Sequence, residues 1–502
     1  MKRLLAALLI GSLCLGAQEA AKPAEAAKPA EPKAEKSATK HSIRIGGQSL
    51  AYTATVGTFI LRDAKGDPWA RMGYTAYLKD GAEPSGRPIT FAFNGGPGSA
   101  SIWLHLGALG PRRIVTVNAE ATPPAPYRLV DNEESLLDVS DLVMIDPVGT
   151  GYSTAIDKAK NHEFWAVDPD IESISRFIAQ FTADAGRWNS PKFLLGESYG
   201  TTRGAGIADY LHVNLGLDLN GVILVSVAMD LGSIFTWPGN ERPYPFFLPT
   251  YTAVAAYHHA LPTEPKDLPA LLQEAREFAL GPYATALLKG DALPEAELEA
   301  LARRMRDFTG LSVDYLRTVH LRVDPGAFRQ ELLRYRGLTV GRIDARFTGP
   351  SQKPLAEAAP WDPHGDAVGP AFTAAFMDYV QRELKFGEGK DYQVRANAIG
   401  SWDFSHKVGG VSQRMVDTTP DLAHALLTNP HLRVLVLNGL TDLATPFAAT
   451  EYTMAHLNLP PAFRGHVVQK YFDSGHMMYL HEPELKQMKR EVAAFMKAVL
   501  HP

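Results

Sequence analysis

Phe193-Leu194-Leu195-Gly196-Glu197-Ser198-Tyr199-Gly200-Thr201-Thr202 is the stretch whose reading decides the fold. Its opening residues are an apolar run of strand length, and the pattern from Thr202 to Leu211, with Gly204 and Gly206, is helical. A serine between a strand and a helix, with glycine two residues away on each side, sits on a turn too sharp for larger neighbours. Its hydroxyl is forced outward, near the positive end of the following helix. G-x-S-x-G alone is moderately specific, and a serine there also suits a plain helix cap. The preceding strand, a later Asp and a later His weigh against the cap.

Other apolar runs stop at similar turns. Pro88–Phe93 runs into Asn94-Gly95-Gly96-Pro97-Gly98, Leu142–Ile145 into Asp146-Pro147-Val148-Gly149, and Val434–Leu437 into Asn438-Gly439. Val222–Val225 is a further short run. With helical patterns between them, these read as buried parallel strands of an α/β sheet, whose functional residues gather at the carboxyl ends. Ser42–Ile45, Leu50–Leu61 and Tyr74–Leu78 read as antiparallel strands before it. From about Leu231 to Asn397 the texture changes to a proline-rich opening and helical patterns, among them Asp291–Phe308, with Asp291 as its cap and Gly310 beyond. This is a mostly helical insertion over the sheet. The core resumes near Trp402, and Leu485–Leu500 reads as a closing amphipathic helix. The expected organisation is therefore a core of residues 41–230 and 398–502 with a helical cap at 231–397.

The chain has 502 residues, 45% hydrophobic and 21% charged, with formal net charge -5. That is ordinary globular composition, and it gives no reason to expect nucleic acid as a partner. No apolar run reaches the ~18 residues of a membrane span. The single cysteine, Cys14, lies in the apolar stretch Leu4–Leu15, preceded by Lys2 and Arg3 and followed by Gly16 and Ala17. This reads as a signal peptide over 1–17, so the protein is expected to be exported, periplasmic or extracellular. Cleavage there leaves no cysteine, hence no disulfide, no thiol nucleophile and no Cys-ligated zinc. Residues 18–40, rich in Ala, Lys, Pro and Glu, read as a solvated linker. The sequence gives no sign of oligomeric state.

A serine hydroxyl needs a base. His476, in Asp473-Ser474-Gly475-His476-Met477 after the strand-like Val467–Phe472, is the candidate among 16 histidines. Asp442, after the turn Asn438-Gly439, is the candidate to orient it; Asp421 is the runner-up, and Asp473 is too close along the chain. His258 and His259 lie on a helical segment, and His364 sits in a polar Asp362–Asp366 stretch that reads as a turn. The order Ser198, Asp442, His476 is that of α/β-hydrolases. The glycines of 94–98 suit backbone donors to an oxyanion, and the Tyr199 N–H supplies a second. No metal or cofactor is expected.

Asn94-Gly95-Gly96-Pro97-Gly98-Ser99 with Gly110-Pro111, Asp146–Ser153, Gly196–Gly200 and Gly475-His476-Met477, in that order, resemble the serine carboxypeptidase family. Asn438–Asp442 is a weaker fifth block. The resemblance implies an α/β-hydrolase fold with Ser198, Asp442 and His476 as the triad, and Gly96 and Tyr199 as oxyanion donors. It implies that Asn94, Gly95 and Glu197 hold the free carboxylate of a peptide's last residue. A carboxylate beside Glu197 requires a shared proton, which favours acidic pH. Ser99 stands where the family usually has a cysteine, and Gly200-Thr201-Thr202-Arg203 departs from the usual Ala-Gly, which suits a bacterial branch. The expected substrate is a peptide with a free C-terminus. The alternatives are another hydrolase specificity (aminopeptidase, esterase or acyltransferase) and a non-catalytic exported binding protein.

Overall fold

Each apolar run that ends in a glycine turn forms a strand of one ten-stranded sheet. The computed structural model describes residues 32–63, 65–156, 159–396 and 399–501. The principal strands are β1 (Lys36–Ile45), β2 (Gln48–Arg62), β3 (Pro68–Lys79), β4 (Ile89–Phe93), β5 (Asp141–Ile145), β6 (Lys192–Glu197), β7 (Gly221–Val225), β8 (Arg433–Gly439) and β9 (Val467–Phe472). Their spatial order is β1-β2-β3-β5-β4-β6-β7-β8-β9. The six strands from β5 to β9 in that order are parallel, and β1, β2 and β3 form the antiparallel extension.

The principal helices are α1 (Val167–Asp184), α2 (Tyr199–Leu215), α3 (Pro243–Tyr257), α4 (Leu268–Phe278), α5 (Glu295–Thr309), α6 (Pro363–Arg382), α7 (Thr419–Thr428) and α8 (Glu482–Leu500). Strand side chains alternate between two cores. Phe91, Phe93, Leu194, Val222 and Leu224 pack with α1, α2 and α7, while Ala92, Phe193, Leu195, Ile223 and Val225 pack with α6 and α8. Both faces are covered, which is why the parallel strands read as continuous apolar runs. Each fully buried Leu, Val or Phe contributes about 1.5–3 kcal/mol. Residues 34–502 make one compact unit, and among the described residues no helix is long and apolar enough to cross a membrane.

Three expectations change. The signal segment 1–17 and linker residues 18–31 lie outside the described residues, but the linker's end is no linker: Lys36–Lys40 pair with Gly57–Thr53 as the start of β1. An edge strand needs backbone pairing on one side only, and lysines at an edge discourage further pairing. The cap helix α5 begins at Glu295, after Pro294, because the residue before a proline is held extended and Asp291 is too early to cap it. The insertion is also two-sided. Its first half, with α3 to α5, joins the α1–α2 core, while its second half, with α6, crosses to the other face.

Candidate active site

Ser198 stands between β6 and α2 with φ 62° and ψ -132°, a conformation costly for a residue with a side chain. The elbow is held by its own amide, which donates to Val225 O at 2.9 Å. The flanking glycines are required by contact. A Cβ on Gly196 would meet Gly200 O at 2.2 Å, and one on Gly200 would meet Phe93 O at 2.9 Å. A Cβ on Gly95 would lie 2.4 Å from the Tyr199 nitrogen, so the 94–98 loop packs directly on the start of α2. Gly96 has φ 110°, open to glycine alone at little cost. The Tyr199 side chain takes a hydrogen bond from Trp402 Nε1 at 3.1 Å.

His476 and Asp442 come together at the ends of β8 and β9. His476 Nδ1 lies 2.6 Å from Asp442 Oδ2. Asp442 is fully buried and also accepts from the amides of Ala444 (2.7 Å) and Thr445 (2.9 Å) and from the Thr445 hydroxyl (2.6 Å). Burial alone would lower the histidine's pKa. The Asp442 charge and hydrogen bond, with the Glu197 charge, outweigh it and raise the value above 6.5. Ser198 and His476 line one cleft with Asn94, Gly95, Gly96 and Glu197.

Glu197 is buried behind the serine. Its Oε1 accepts from Asn94 Nδ2 at 2.9 Å and its Oε2 from the Tyr479 hydroxyl at 2.7 Å. Burial dominates and pushes its pKa up to about 7, although His476 and both hydrogen bonds pull the other way. Asn94 is fixed in turn: its Oδ1 accepts from Leu104 N at 3.0 Å, and its carbonyl accepts from Arg203 Nη1 at 2.6 Å. Arg203 is fully buried and paired with Asp170 at 2.8 Å. The unusual residues after the nucleophile thus support the Asn94 loop from below. The Asp146–Ser153 motif is supporting too. Asp146 Oδ1 accepts from Ser101 N at 2.9 Å, and a Cβ on Gly151 would overlap Asp146 Oδ2. Burial raises the Asp146 pKa to about 6.

The other candidates lie elsewhere. Asp421 faces His406 Nε2 at 3.0 Å, with Asp168 on Nδ1 at 2.6 Å, so it orients a different histidine. Desolvation opposes its charge, but the two carboxylates win and raise the His406 pKa to about 9. His258 bonds Ala345 O and His259 bonds Glu264. His364 is not in a solvated turn; it is buried in the first turn of α6 and lines the cleft. Among the described residues there is no group of three or more His, Cys, Asp or Glu that could hold a metal ion.

The sequence reading missed Tyr479 and a buried pair from the insertion, Asp344 and Arg346, joined at 2.6 Å. Asp344 Oδ1 accepts from Thr441 Oγ1 at 3.0 Å, and Arg346 Nη2 donates to Ser474 Oγ at 2.8 Å. His476 N donates to Ile343 O at 2.8 Å, and Ala345 N to Thr441 O at 3.0 Å. Residues 343–346 therefore tie the Asp442 loop to the His476 loop. The approach is close: a Cβ on Gly475 would meet the Asp344 Cα at 2.5 Å.

A search of curated proteins finds no match. Among solved structures the chain is similar to a haloalkane dehalogenase loop variant from Bradyrhizobium elkanii, with 12% identity, TM-score 0.31, and coverage of 92% of this chain and 98% of that one. It is also similar to an epoxide hydrolase from Aspergillus niger, with 15% identity, TM-score 0.34, and coverage of 89% and 79%. Nothing about substrate follows from similarity at this level. The mostly parallel sheet, the Ser198 elbow between β6 and α2, and the Asp442 and His476 loops after β8 and β9 make an α/β-hydrolase fold, and residues 71–225, which carry the Asn94 loop, the Asp146 loop and the Ser198 elbow, match the family model of the serine carboxypeptidases.

Proposed function

We propose that this hydrolase is an exported serine carboxypeptidase that releases C-terminal residues from peptides and works best at acidic pH. The observation that carries this reading is Glu197: a buried carboxyl, bonded to Asn94 and Tyr479, in the same cleft as Ser198. A hydrolase acting on an ester or an internal bond has no use for a proton-bearing carboxyl there. A free substrate carboxylate has one.

In this reading Asn94, the Gly95 backbone and protonated Glu197 bind the terminal carboxylate, which aligns the last peptide bond over Ser198. His476 takes the Ser198 proton as the oxygen attacks the carbonyl carbon. The Gly96 and Tyr199 N–H groups receive the oxyanion. The C–N bond then breaks, His476 protonates the departing amino group, and the acyl-enzyme remains. Water, deprotonated by His476, releases the shortened peptide and restores Ser198. Asp442 holds the imidazole tautomer throughout.

Glu197 and His476 interact, so their protons are shared property of the pair. A proton on Glu197 with His476 neutral is the productive arrangement. The substrate carboxylate favours it, because it would repel an ionised Glu197. Substrate binding therefore readies the base. The test is a blocked peptide with its C-terminus free or amidated. The free form is cleaved at its last bond, and equal cleavage of the amidated form overturns the proposal.

A further inference from the structure

Three cationic or donor side chains in the cleft have no part in the reaction above. Arg342 and Arg395 are exposed and line the cleft beside Ser198, and neither guanidinium pairs with a carboxylate among the described residues. Asp362, which the fold brings against the Arg342 backbone, accepts instead from the backbone N–H groups of Arg342, Ile343 and His364, at 3.0, 3.4 and 3.2 Å. Arg395 stacks over the Trp103 ring at 5.3 Å, and Trp103 Nε1 donates to Ser99 Oγ at 2.9 Å. A guanidinium drawn to an aromatic face by cation–π attraction keeps its N–H groups free to donate to an entering anion.

His364 is the second observation. It is 2% exposed, packs edge-on to Phe347 at 4.9 Å, and neither ring nitrogen has a hydrogen-bond partner among the described residues. A buried polar group without a partner destabilises a fold, so one aimed at a cleft marks the place of a ligand's polar atom. The position is defined by Asn94, whose Oδ1 takes its hydrogen bond from Leu104 N, the residue after Trp103. The corner thus adjoins the proposed site of the terminal carboxylate. The cleft is ≈ 190 Å³, below the ~300–1,000 Å³ of sites for larger ligands, so it suits a single residue.

We propose that Arg342, Arg395 and His364 form a pocket for an acidic side chain, so that the enzyme prefers peptides ending in Glu or Asp. This rests on the carboxypeptidase reading. A bidentate or paired charge contact replaces the water lost by the substrate's second carboxylate, and His364 donates from one ring nitrogen.

The experiment uses peptides identical except for a free C-terminal Glu, Gln, Leu or Lys, at pH 6, where a Glu side chain is ionised. Wild type is compared with Arg342→Gln, Arg395→Gln and the double variant. The expected result is a kcat/KM at least about tenfold higher for Glu than for Gln, with that ratio falling to about one in the double variant while the Leu-to-Gln ratio is unchanged, a comparison that cancels the effect of the Arg342 charge on His476. Because Leu is the internal control, a folding defect cannot mimic this. Release of terminal residues with no preference for Glu overturns the pocket. Equal losses for Glu and Leu overturn it too, and assign the arginines to the main-chain carboxylate. No release from any free peptide, or equal cleavage of amidated ones, defeats the carboxypeptidase reading itself.

Discussion

Replacing Glu197 by Gln separates its charge from its shape. The carboxyl's pKa rises from 4.5 to about 7 because it is buried. At ~1.4 kcal/mol per pH unit, ionising it in the fold costs roughly 3 kcal/mol more than in the unfolded chain. Below pH 4.5 both states carry the proton and there is no penalty. Between 4.5 and 7 the folded chain keeps a proton that the unfolded chain has lost, so stability falls as pH rises, and the loss is complete above about 7. Glutamine never ionises. The stability difference between Glu197→Gln and wild type, from denaturant melts, should therefore shift by about 3 kcal/mol in favour of the variant between pH 4 and pH 8. Catalysis reports the same titration. Wild-type kcat/KM on a free-carboxylate peptide should fall above about pH 7, about tenfold per pH unit, and the variant's should not. A variant that keeps the wild-type fall at the same midpoint would refute the assignment to Glu197, and an unchanged stability difference would refute the burial reasoning.

Tyr479→Phe removes a hydrogen bond that lowers the Glu197 pKa, so the alkaline limb of kcat/KM should move to higher pH; movement to lower pH contradicts the contact. Ser198→Ala should remove labelling by a fluorophosphonate and cut kcat by on the order of 10⁶, while leaving Tm unchanged. Asp442→Asn should cost on the order of 10⁴ in kcat, since the wrong imidazole tautomer faces the serine. Arg346→Met leaves Asp344 buried without its partner, at about 3–5 kcal/mol; Tm should drop, and kcat should fall more than KM rises because the base and its carboxylate lose their tie.

The parallel strands and the elbow were legible because their causes are local. Apolar runs ending at glycine turns, and the space denied around Gly196 and Gly200, are written in consecutive residues. Asp442 and His476 were legible from chain order. Tyr479 was not, because it reaches Glu197 across 282 residues of sequence and looks like any core aromatic. Asp344 and Arg346 were hidden for the same reason: a short ion pair in an insertion carries no pattern that names its distant partners. His364 was different. Asp362 followed by Pro363 is a helix N-cap and first-turn signal, so the start of α6 is written locally, although the polar residues around it resemble a turn. The first residues of β1 were lost in a lysine- and alanine-rich tract whose edge-strand role needs no apolar face.

Residues 343–346 brace two loops that the core strands merely deliver. The alignment of Asp442 with His476 therefore depends on contacts from the insertion as well as on the strands that carry the two residues. A different insertion grafted onto the same sheet would have to rebuild that brace before any new specificity could be measured.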